Sequence, residues 1–283
     1  MNQIISLITS IIRQFKEDRA SVYAAQASFF IMVSVGPFVI ALMAMVQFFL
    51  PGDQIQTFQA VMEYLPSELT NMVTIGVSEI FTTAAPSIVS LSVIIALWSA
   101  SKAILGLERC LHVIYDVHVE RNYVLQRIRA YFYTILVLIS IVLALGLLVF
   151  GNTIQQLLTG YFPWLEKARE LIIALRAIFA ISIFVMTFTG IYMVLSGAKR
   201  RLLAVLPGVI LSVVGWLGFS ILYSYYITHY SQYTVLYGSL GAFTLFMLWL
   251  YFCMLILLVG GELNVYIEKN QASSNASSGS SSR

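Results

Sequence analysis

Four polar side chains stand inside or directly beside long uncharged stretches of this chain, where an ionisable group is costly. Lys102 follows one such stretch, and Arg109 comes seven residues later, so the two share about one face of a helix. Glu262 follows another stretch, and Asn264 lies two residues beyond it. The hypothesis that follows is a pairing of Lys102 or Arg109 with Glu262. Such a pair would either staple two helix ends or gate an anionic substrate, with Asn264 as a further substrate-binding candidate.

Two other features could contact an amphiphilic molecule. Arg176 lies near the end of another uncharged stretch, where its long side chain would either snorkel to the lipid headgroups or bind an anion. Six tyrosines cluster near a further helix end, at positions 223, 225, 226, 230, 233 and 237. An interfacial aromatic belt accounts for such a cluster. The alternative is a lining for an amphiphilic ligand, since a phenol has an apolar body and a polar tip.

The residue types needed for hydrolysis or metal binding do not assemble into a complete set. His112, Asp116 and His118 are neighbours, but a nuclease needs metal-binding carboxylates and usually a basic groove, and this spacing is typical of a solvated face. Cys110 and Cys253 have neither the spacing nor the context of a disulfide or a metal site. The chain also has no glycine-rich phosphate loop and no nucleophile elbow. We therefore predict no catalytic residue, no metal and no cofactor.

The elements that would position these side chains are six uncharged stretches of at least 22 residues. About 20 residues of helix cross the hydrocarbon core of a bilayer. Composition agrees, because 59% hydrophobic and 10% charged residues leave too little polar material to cover a soluble protein of 283 residues. The sequence therefore predicts an all-α integral membrane protein with six transmembrane helices. The predicted spans are about 29–50, 80–101, 130–151, 177–198, 202–228 and 240–261.

The Lys and Arg residues are distributed unevenly among the connections, and this predicts an orientation. Three fall in the third connection, and the first and fifth connections have none. The rest lie before the first span, in the second and fourth connections and after the sixth span. Because cytoplasmic loops retain Lys and Arg, both termini are predicted to be cytoplasmic. Lys102, Arg109 and Glu262 are then expected near the cytoplasmic boundary.

Three segments outside the spans have apolar residues at helical spacing. Residues 4–15 predict an amphipathic helix lying flat on the cytoplasmic surface. Residues 53–79, interrupted by Pro66, predict two short helices across the outer mouth. Residues 103–119 are expected to continue the second span and to bend along the inner surface. These interfacial helices complete the predicted architecture.

Two prolines inside predicted spans are candidate helix breaks. Pro37 follows a glycine in the first span, and Pro207 precedes Gly208 in the fifth. Each removes a backbone hydrogen bond that a neighbouring helix or water must replace. Broken helices mark transport sites in many carriers, although proline is also common in ordinary transmembrane helices. Small residues at 208, 212 and 215 would let another helix approach closely, within the chain or in a dimer.

The domain organisation expected from these patterns is simple. Residues 1–270 form one six-helix domain, and the first span is retained because no removable signal peptide precedes it. Residues 271–283 are rich in Ser and predict a disordered tail or a cloning remnant.

Several short runs carry a resemblance to a known family. In the first half they are Asp18-Arg19-Ala20, Ala24-Ala25, Pro37, Trp98-Ser99-Ala100-Ser101-Lys102, Tyr115-Asp116-Val117 and Arg121. In the last third they are Leu206-Pro207-Gly208, Tyr237-Gly238-Ser239-Leu240-Gly241-Ala242, Leu248-Trp249-Leu250-Tyr251 and Gly261-Glu262-Leu263-Asn264. Together they are similar to the YihY/virulence factor BrkB family over nearly the whole chain. Gly261 departs from the family, which more often has Ala before the Glu, and so does Gly36.

The resemblance implies a six-helix protein of the bacterial cytoplasmic membrane, in a family whose members carry an old ribonuclease BN label. The residues do not support that label, because the chain has only three aspartates and no nuclease constellation. We therefore expect a transporter or flippase-like binder of a lipid or another anionic amphiphilic envelope molecule. The expected partners are membrane lipids, an anionic or lipid-linked substrate and a second copy of the chain, but no nucleic acid. The alternatives are a non-catalytic envelope scaffold and a membrane-bound enzyme.

Overall fold

The fold is a bundle of long helices, and the structure, a computed structural model, describes residues 2–49, 86–117, 123–161, 169–197, 200–230 and 232–280. The helices are α1 (Asn2–Glu17), α2 (Ala20–Phe49), α3 (Pro86–Ile114), α4 (Tyr123–Tyr161), α5 (Arg169–Gly190), α6 (Leu202–Tyr230) and α7 (Gln232–Ser280). A π-helical turn, Ile191–Leu195, directly follows α5. The described ranges contain no strand, and the predicted all-α class is confirmed.

Six of these helices are long and apolar enough to cross a membrane, as the sequence predicts. Their candidate spans are Ala20–Ile40, Ser90–Ile114, Tyr123–Leu143, Ala174–Leu195, Leu202–Ile227 and Phe243–Gln271. The second and sixth extend well past the charges at Lys102 and Glu262, where the sequence pattern ends them. The physical reason is that these side chains find partners inside the bundle, so the helices continue as buried elements.

The segment 103–119 differs from its prediction. Instead of bending along the surface after a span that ends at residue 101, α3 runs unbroken to Ile114. Its last turns are core, with Ala103, Leu107 and Leu111 buried. The helix ends in a turn at Asp116, whose φ is 51°.

Helices α2 and α3 make the most extensive helix pair in the bundle. Small side chains let their backbones approach closely, which drives helix association in membranes. The buried small residues are Ala20, Ala24, Ala27 and Ser28 on α2, and Ala96, Ser99, Ala103 and Cys110 on α3. At Gly106 a Cβ atom would lie 3.6 Å from the Gln26 side chain of α2.

Helices α6 and α7 approach even more closely, at Gly208 and Gly260. A Cβ atom built on Gly208 would overlap the carbonyl oxygen of Gly260 and the amide of Asn264. Gly208 therefore lies at a helix contact inside the chain. Neither proline breaks its helix, because α2 continues through Pro37 and α6 continues through Pro207. The prolines therefore do not end these helices, and their role at a transport site stays a prediction.

The ends of the bundle can be followed through α1 and α7. The predicted N-terminal helix is present as α1, and it packs on both α2 and α7. The segment 53–79, with its two predicted helices, lies outside the described residues. Helix α7 continues to Ser280, where the sequence predicts a disordered tail from residue 271. Extending an existing helix needs no new nucleation, so even a Ser-rich segment can follow it.

Candidate functional site

Two carboxyl groups meet at one end of the bundle. Glu262 of α7 is only 1% exposed, and its carboxyl group lies within hydrogen-bonding reach of that of Asp18, in the turn between α1 and α2. Two carboxyl groups can share a hydrogen bond only if one of them carries a proton. An arrangement of this kind can hold one proton between α7 and the α1–α2 turn.

The surroundings of Asp18 make its carboxyl group harder to ionise than a solvent-exposed one. Burial raises the pKa of the Asp18 carboxyl above its ordinary value, and Glu17 and Asp116 raise this pKa further. The hydrogen bond from Glu262 and the positive charge of Lys269 lower the pKa of Asp18, but by less. We call the end of the bundle that holds Asp18, Tyr115, Arg200 and Lys269 the basic end.

A tight backbone turn fixes the position of Asp18. The Asp18 amide donates to the Gln14 carbonyl at 2.8 Å, and the Val22 amide donates to the Arg19 carbonyl at 2.9 Å. Arg19 adopts the left-handed region with φ 51°, which costs a residue with a Cβ atom about 1–2 kcal/mol. Two residues thus separate α1 from α2, and Ala20 is already fully buried.

Asn264 connects three helices beside the carboxyl pair. The Gly208 amide of α6 donates to Asn264 Oδ1 at 2.7 Å, and Asn264 Nδ2 donates to Tyr115 Oη at 3.2 Å. Because Pro207 disturbs the backbone ladder of this turn, the Asn264 carbonyl provides an acceptor where α6 is weakest. Asn264, a substrate-binding candidate from the sequence, therefore has its amide engaged in the protein.

Tyr115 and Arg200 cover this network at the basic end. The Arg200 guanidinium lies 4.4 Å from the Tyr115 ring centroid and forms an ion pair with Glu268 of α7. Burial raises the pKa of the Tyr115 hydroxyl, while the Asn264 hydrogen bond and Arg200 lower it by less. Burial also lowers the pKa of Arg200. Tyr115 therefore stays neutral as part of the packing.

Tyr192, in the π turn, joins α6 to α7 through hydrogen bonds with both helices. Its side chain is fully buried, and its hydroxyl donates to the Leu257 carbonyl at 2.5 Å. The Ser212 hydroxyl lies 2.6 Å from the Tyr192 oxygen and donates to it when Tyr192 donates to Leu257. The close crossing of α6 and α7 is thus lined by matched hydroxyl groups.

A buried charge cluster holds the π turn. Glu108 of α3 lies 3.6 Å from Arg129 Nη1 and 3.9 Å from His112 Nε2. Arg129 Nη2 donates to the Val194 carbonyl at 3.0 Å, and the His112 side chain hydrogen-bonds with the backbone of Leu195. The interpretation of His112 as part of a solvated face is wrong, because its side chain is largely buried. The cluster joins α3 and α4 to the π turn.

Lys102 lies apart from Glu262, and the expected pairing of the two is not formed. The Lys102 ammonium lies 3.7 Å from the Trp98 ring centroid and 5.0 Å from that of Phe30 on α2. Lys102 lies within the candidate span Ser90–Ile114. Arg109 is exposed and neighbours Glu108. The side-chain partner of Glu262 is Asp18, in the α1–α2 turn.

The other predicted residues have mostly structural contacts. Arg176 is half-buried on α5. Ser99 is fully buried, and the Ser101 hydroxyl donates to the Trp98 carbonyl at 2.8 Å. Trp249 Nε1 donates to Ser220 Oγ at 3.3 Å, and the Tyr251 ring is half-buried against Phe252. Tyr237, Gly238 and Ser239 lie in α7, but their side chains fall outside the described part of the chain.

The sequence interpretation missed Asp18 as the partner of Glu262, and it missed Glu108, Arg129 and Tyr192. Asp18 belongs to a quoted motif, yet nothing in the spacing links it to a residue 244 positions later. Glu108 lies one helical turn after the buried Ile104 of α3, and a periodicity count continued past Lys102 would have shown that this face remains apolar.

Comparison with known proteins settles the family. The sequence pattern of the family described as virulence factor BrkB matches residues 11–282. This chain belongs to the BrkB family. The matched range contains the carboxyl pair, the Asn264 network, the π turn and Lys102, so the whole candidate site lies within the BrkB-family region.

The BrkB-family chain is similar to several bacterial proteins. It is 27% identical over 248 residues to YfkH of Bacillus subtilis, described as ribonuclease-like, which covers 88% of this chain and 90% of that protein. It is 22% identical to a UPF0761 membrane protein of Photobacterium profundum, over 93% of this chain and 81% of the relative. A UPF0761 membrane protein of Aliivibrio salmonicida is 34% identical over 80 residues, 27% of this chain and 24% of that relative. No solved structure matches.

Proposed function

We propose that this multi-pass membrane protein of the BrkB/UPF0761 family is a transporter or flippase-like carrier of an anionic amphiphilic molecule. The substrate class is a lipid or a lipid-linked envelope precursor, moved without bond-breaking chemistry by the chain itself. The single observation that carries the proposal is Lys102, a cation within a candidate span whose ammonium lies over two aromatic rings.

The surroundings of Lys102 suit a ligand with an anionic head and an apolar body. Trp98 is 45% exposed, and Phe30 of the adjacent helix is half-buried, so both rings offer apolar surface beside the ammonium. The ammonium contacts these rings, whereas the carboxyl groups of Glu108 and Glu262 have other partners. A phosphate or carboxylate headgroup would supply a counter-charge that these described carboxyl groups do not provide.

The free energies of placing Lys102 in a membrane favour a bound ligand beside it. A lysine inside a transmembrane helix costs up to about 2.5–3.5 kcal/mol, the value for the helix centre. Contact with an aromatic ring recovers about 0.5–2 kcal/mol. The remaining cost of keeping Lys102 inside the span is removed if an anion binds there during the working cycle. A purely structural role would be served more cheaply by an apolar side chain.

We propose in addition that the basic end faces the cytoplasm and that the protein resides in the bacterial cytoplasmic membrane. The distribution of Lys and Arg among the connections supports this orientation. Membrane lipids are then the immediate partners, with self-association as a further proposal, and no nucleic acid partner is proposed.

The test is lipid binding and lipid movement by the full chain. Protein in nanodiscs containing phosphatidylethanolamine, phosphatidylglycerol and cardiolipin is released into a native mass spectrometer, and retained lipids are identified. The same protein is reconstituted into vesicles with a trace of fluorescent phosphatidylglycerol, whose outer-leaflet fraction is quenched chemically. We expect wild type to retain an anionic lipid and to move the fluorescent one.

Lys102→Gln should lose both properties, and Lys102→Arg should restore them in part. The matched control is Arg127→Gln, which removes another cation that lies over a ring, that of Tyr131 at 5.1 Å. Equal lipid retention and movement by wild type and Lys102→Gln would refute the proposal. That result would leave the non-catalytic scaffold as the better hypothesis.

A further inference from the structure

The carboxyl pair Asp18–Glu262 combines a buried group with one that water can reach. Glu262 is almost fully buried, and its Oε1 atom has no hydrogen-bond partner among the described residues. Asp18 is half-buried in the α1–α2 turn at the basic end. A proton arriving from water therefore meets Asp18 first and can pass to Glu262 along their shared hydrogen bond.

The charges that face the pair come from three elements and are mostly negative or neutral. Helix α1 contributes Glu17, and the turn after α3 contributes Asp116. From α3 and that turn, Cys110 and Tyr115 also face Glu262, both buried. Lys269 of α7 is the cation that acts on both carboxyl groups. One lysine balances one carboxylate, so ionisation of both members would leave an uncompensated buried charge, and a bound proton removes it.

We propose that Asp18 and Glu262 form a proton-binding site, and that loading and release of this proton couple a proton gradient to movement of the substrate at Lys102. The second half of this proposal rests on the proposed function. The step itself is a proton transfer from water to the carboxyl pair and back to water, so no bond to the substrate forms or breaks.

The structure provides a physical link between the two sites through α2. Release of the proton places two carboxylates against each other, and their repulsion pushes the α1–α2 turn away from α7. Because only two residues separate α1 from α2, this displacement reaches α2 directly. Phe30, which lies on Lys102, is twelve residues from Asp18, about 18 Å along a helix. Protonation at the basic end can thus change the ring contact that holds the Lys102 ammonium.

The first measurement tests the proton site without transport. Infrared difference spectra of the full chain in nanodiscs are recorded between acidic and alkaline buffer, where a protonated carboxyl group has its own carbonyl band. We expect wild type to show a carboxyl that remains protonated at neutral pH, and Glu262→Gln and Asp18→Asn to lack it. Both replacements can keep a hydrogen bond across the pair, so the fold should survive. The matched control is Glu17→Gln, which removes the exposed neighbouring carboxyl that pairs with Arg13 at 4.0 Å and should keep the band.

The second measurement tests the coupling, with the vesicle assay of fluorescent phosphatidylglycerol. Above the pKa of the pair, each pH unit lowers the protonated fraction about tenfold. We therefore expect movement by wild type to fall about tenfold per pH unit in that range, and movement by Glu262→Gln to be independent of pH.

The outcomes separate the two proposals. If wild type has no carboxyl band that Glu262→Gln removes, the proton site is wrong, whatever the transport result. If the carboxyl band is present but lipid movement by wild type does not depend on pH, only the proposed coupling is overturned. A band without any lipid movement in wild type would overturn the proposed function and the coupling, and would support the proton site.

Discussion

The crossing of α6 and α7 predicts that two adjacent glycines respond oppositely to the same substitution. In Gly260→Ala, the new Cβ atom would overlap the hydroxyl oxygens of Tyr192 and Ser212. It would also lie 2.7 Å from the Gly208 carbonyl oxygen. Carbon–oxygen contacts are ordinarily about 3.3–3.6 Å, so the helices must separate by roughly 0.6–0.9 Å to accept the methyl group.

The cost of this separation follows from the contacts at the crossing. Overpacking a close-packed interior costs about 1–3 kcal/mol. Stretching the Tyr192–Ser212, Tyr192–Leu257 and Gly208–Asn264 hydrogen bonds adds about 1–3 kcal/mol in total. The replacement of a helical glycine by alanine stabilises the helix by about 0.5–1 kcal/mol. The net expectation for Gly260→Ala is a loss of about 3 kcal/mol of stability.

Gly261→Ala should behave differently. A Cβ atom there would lie 3.3 Å from Leu111 Cδ2, 3.7 Å from Tyr192 Cε1 and 3.8 Å from Ile114 Cδ1. The nearest atom, at Leu111, is the end of a flexible side chain that can move by a few tenths of an ångström. The helix preference of alanine then dominates, and stability should be unchanged or rise by about 0.5–1 kcal/mol. The Ala that the family resemblance places before the Glu agrees with this expectation.

Thermal unfolding of both variants in the same detergent, followed by tryptophan fluorescence, measures the difference directly. We expect a clearly lower melting temperature for Gly260→Ala and a wild-type or higher one for Gly261→Ala. Equal melting temperatures would show that the close approach of Gly208 and Gly260 does not limit the packing of α6 on α7. The reasoning from Cβ contacts would then be refuted.

Two further predictions concern charge. Glu108→Gln removes the counter-charge of Arg129 inside the bundle and should cost about 3 kcal/mol. Melting of the double variant with Arg129→Gln should then show a smaller loss than the sum of the single variants, whereas simple additivity would contradict the ion pair. Because burial raises the pKa of Asp18, the folded chain holds this proton more tightly than the unfolded chain. The proton bound by Asp18 thus stabilises the folded chain fully at acidic pH. This contribution is lost as the pH rises through the raised pKa of the Asp18 carboxyl. Asp18→Asn should flatten the dependence of melting temperature on pH, and a slope equal to that of wild type would contradict the assignment.

The six candidate spans could be predicted from the sequence because each crossing requires an uncharged stretch of sufficient length, and such stretches are local. The ends of α3 and α7 could not be predicted in this way. Lys102, Glu108 and Glu262 each have a partner outside their own helix, and a single run of sequence does not contain those partners.

The same limit applies to the candidate site. Glu262 and Asn264 could be singled out because a polar side chain beside an apolar stretch must be satisfied somehow. Their partners, Asp18 for Glu262 and Gly208 and Tyr115 for Asn264, come from distant parts of the chain, and only the packing of α1, α3 and α6 on α7 brings them together.

The π turn after α5 also changes the direction in which the side chains of the helix point. A π turn contains one more residue than an α-helical turn, so every later side chain is rotated by about 100° relative to a regular helix. In Ile191–Leu195 this offset lets Tyr192 face α6 and α7 while the Val194 carbonyl faces Arg129. A one-residue deletion within the turn would restore a regular helix and move one of these two contacts out of reach. The length of this segment is therefore as much constrained as its composition, and α5 should tolerate substitutions there far better than changes in residue number.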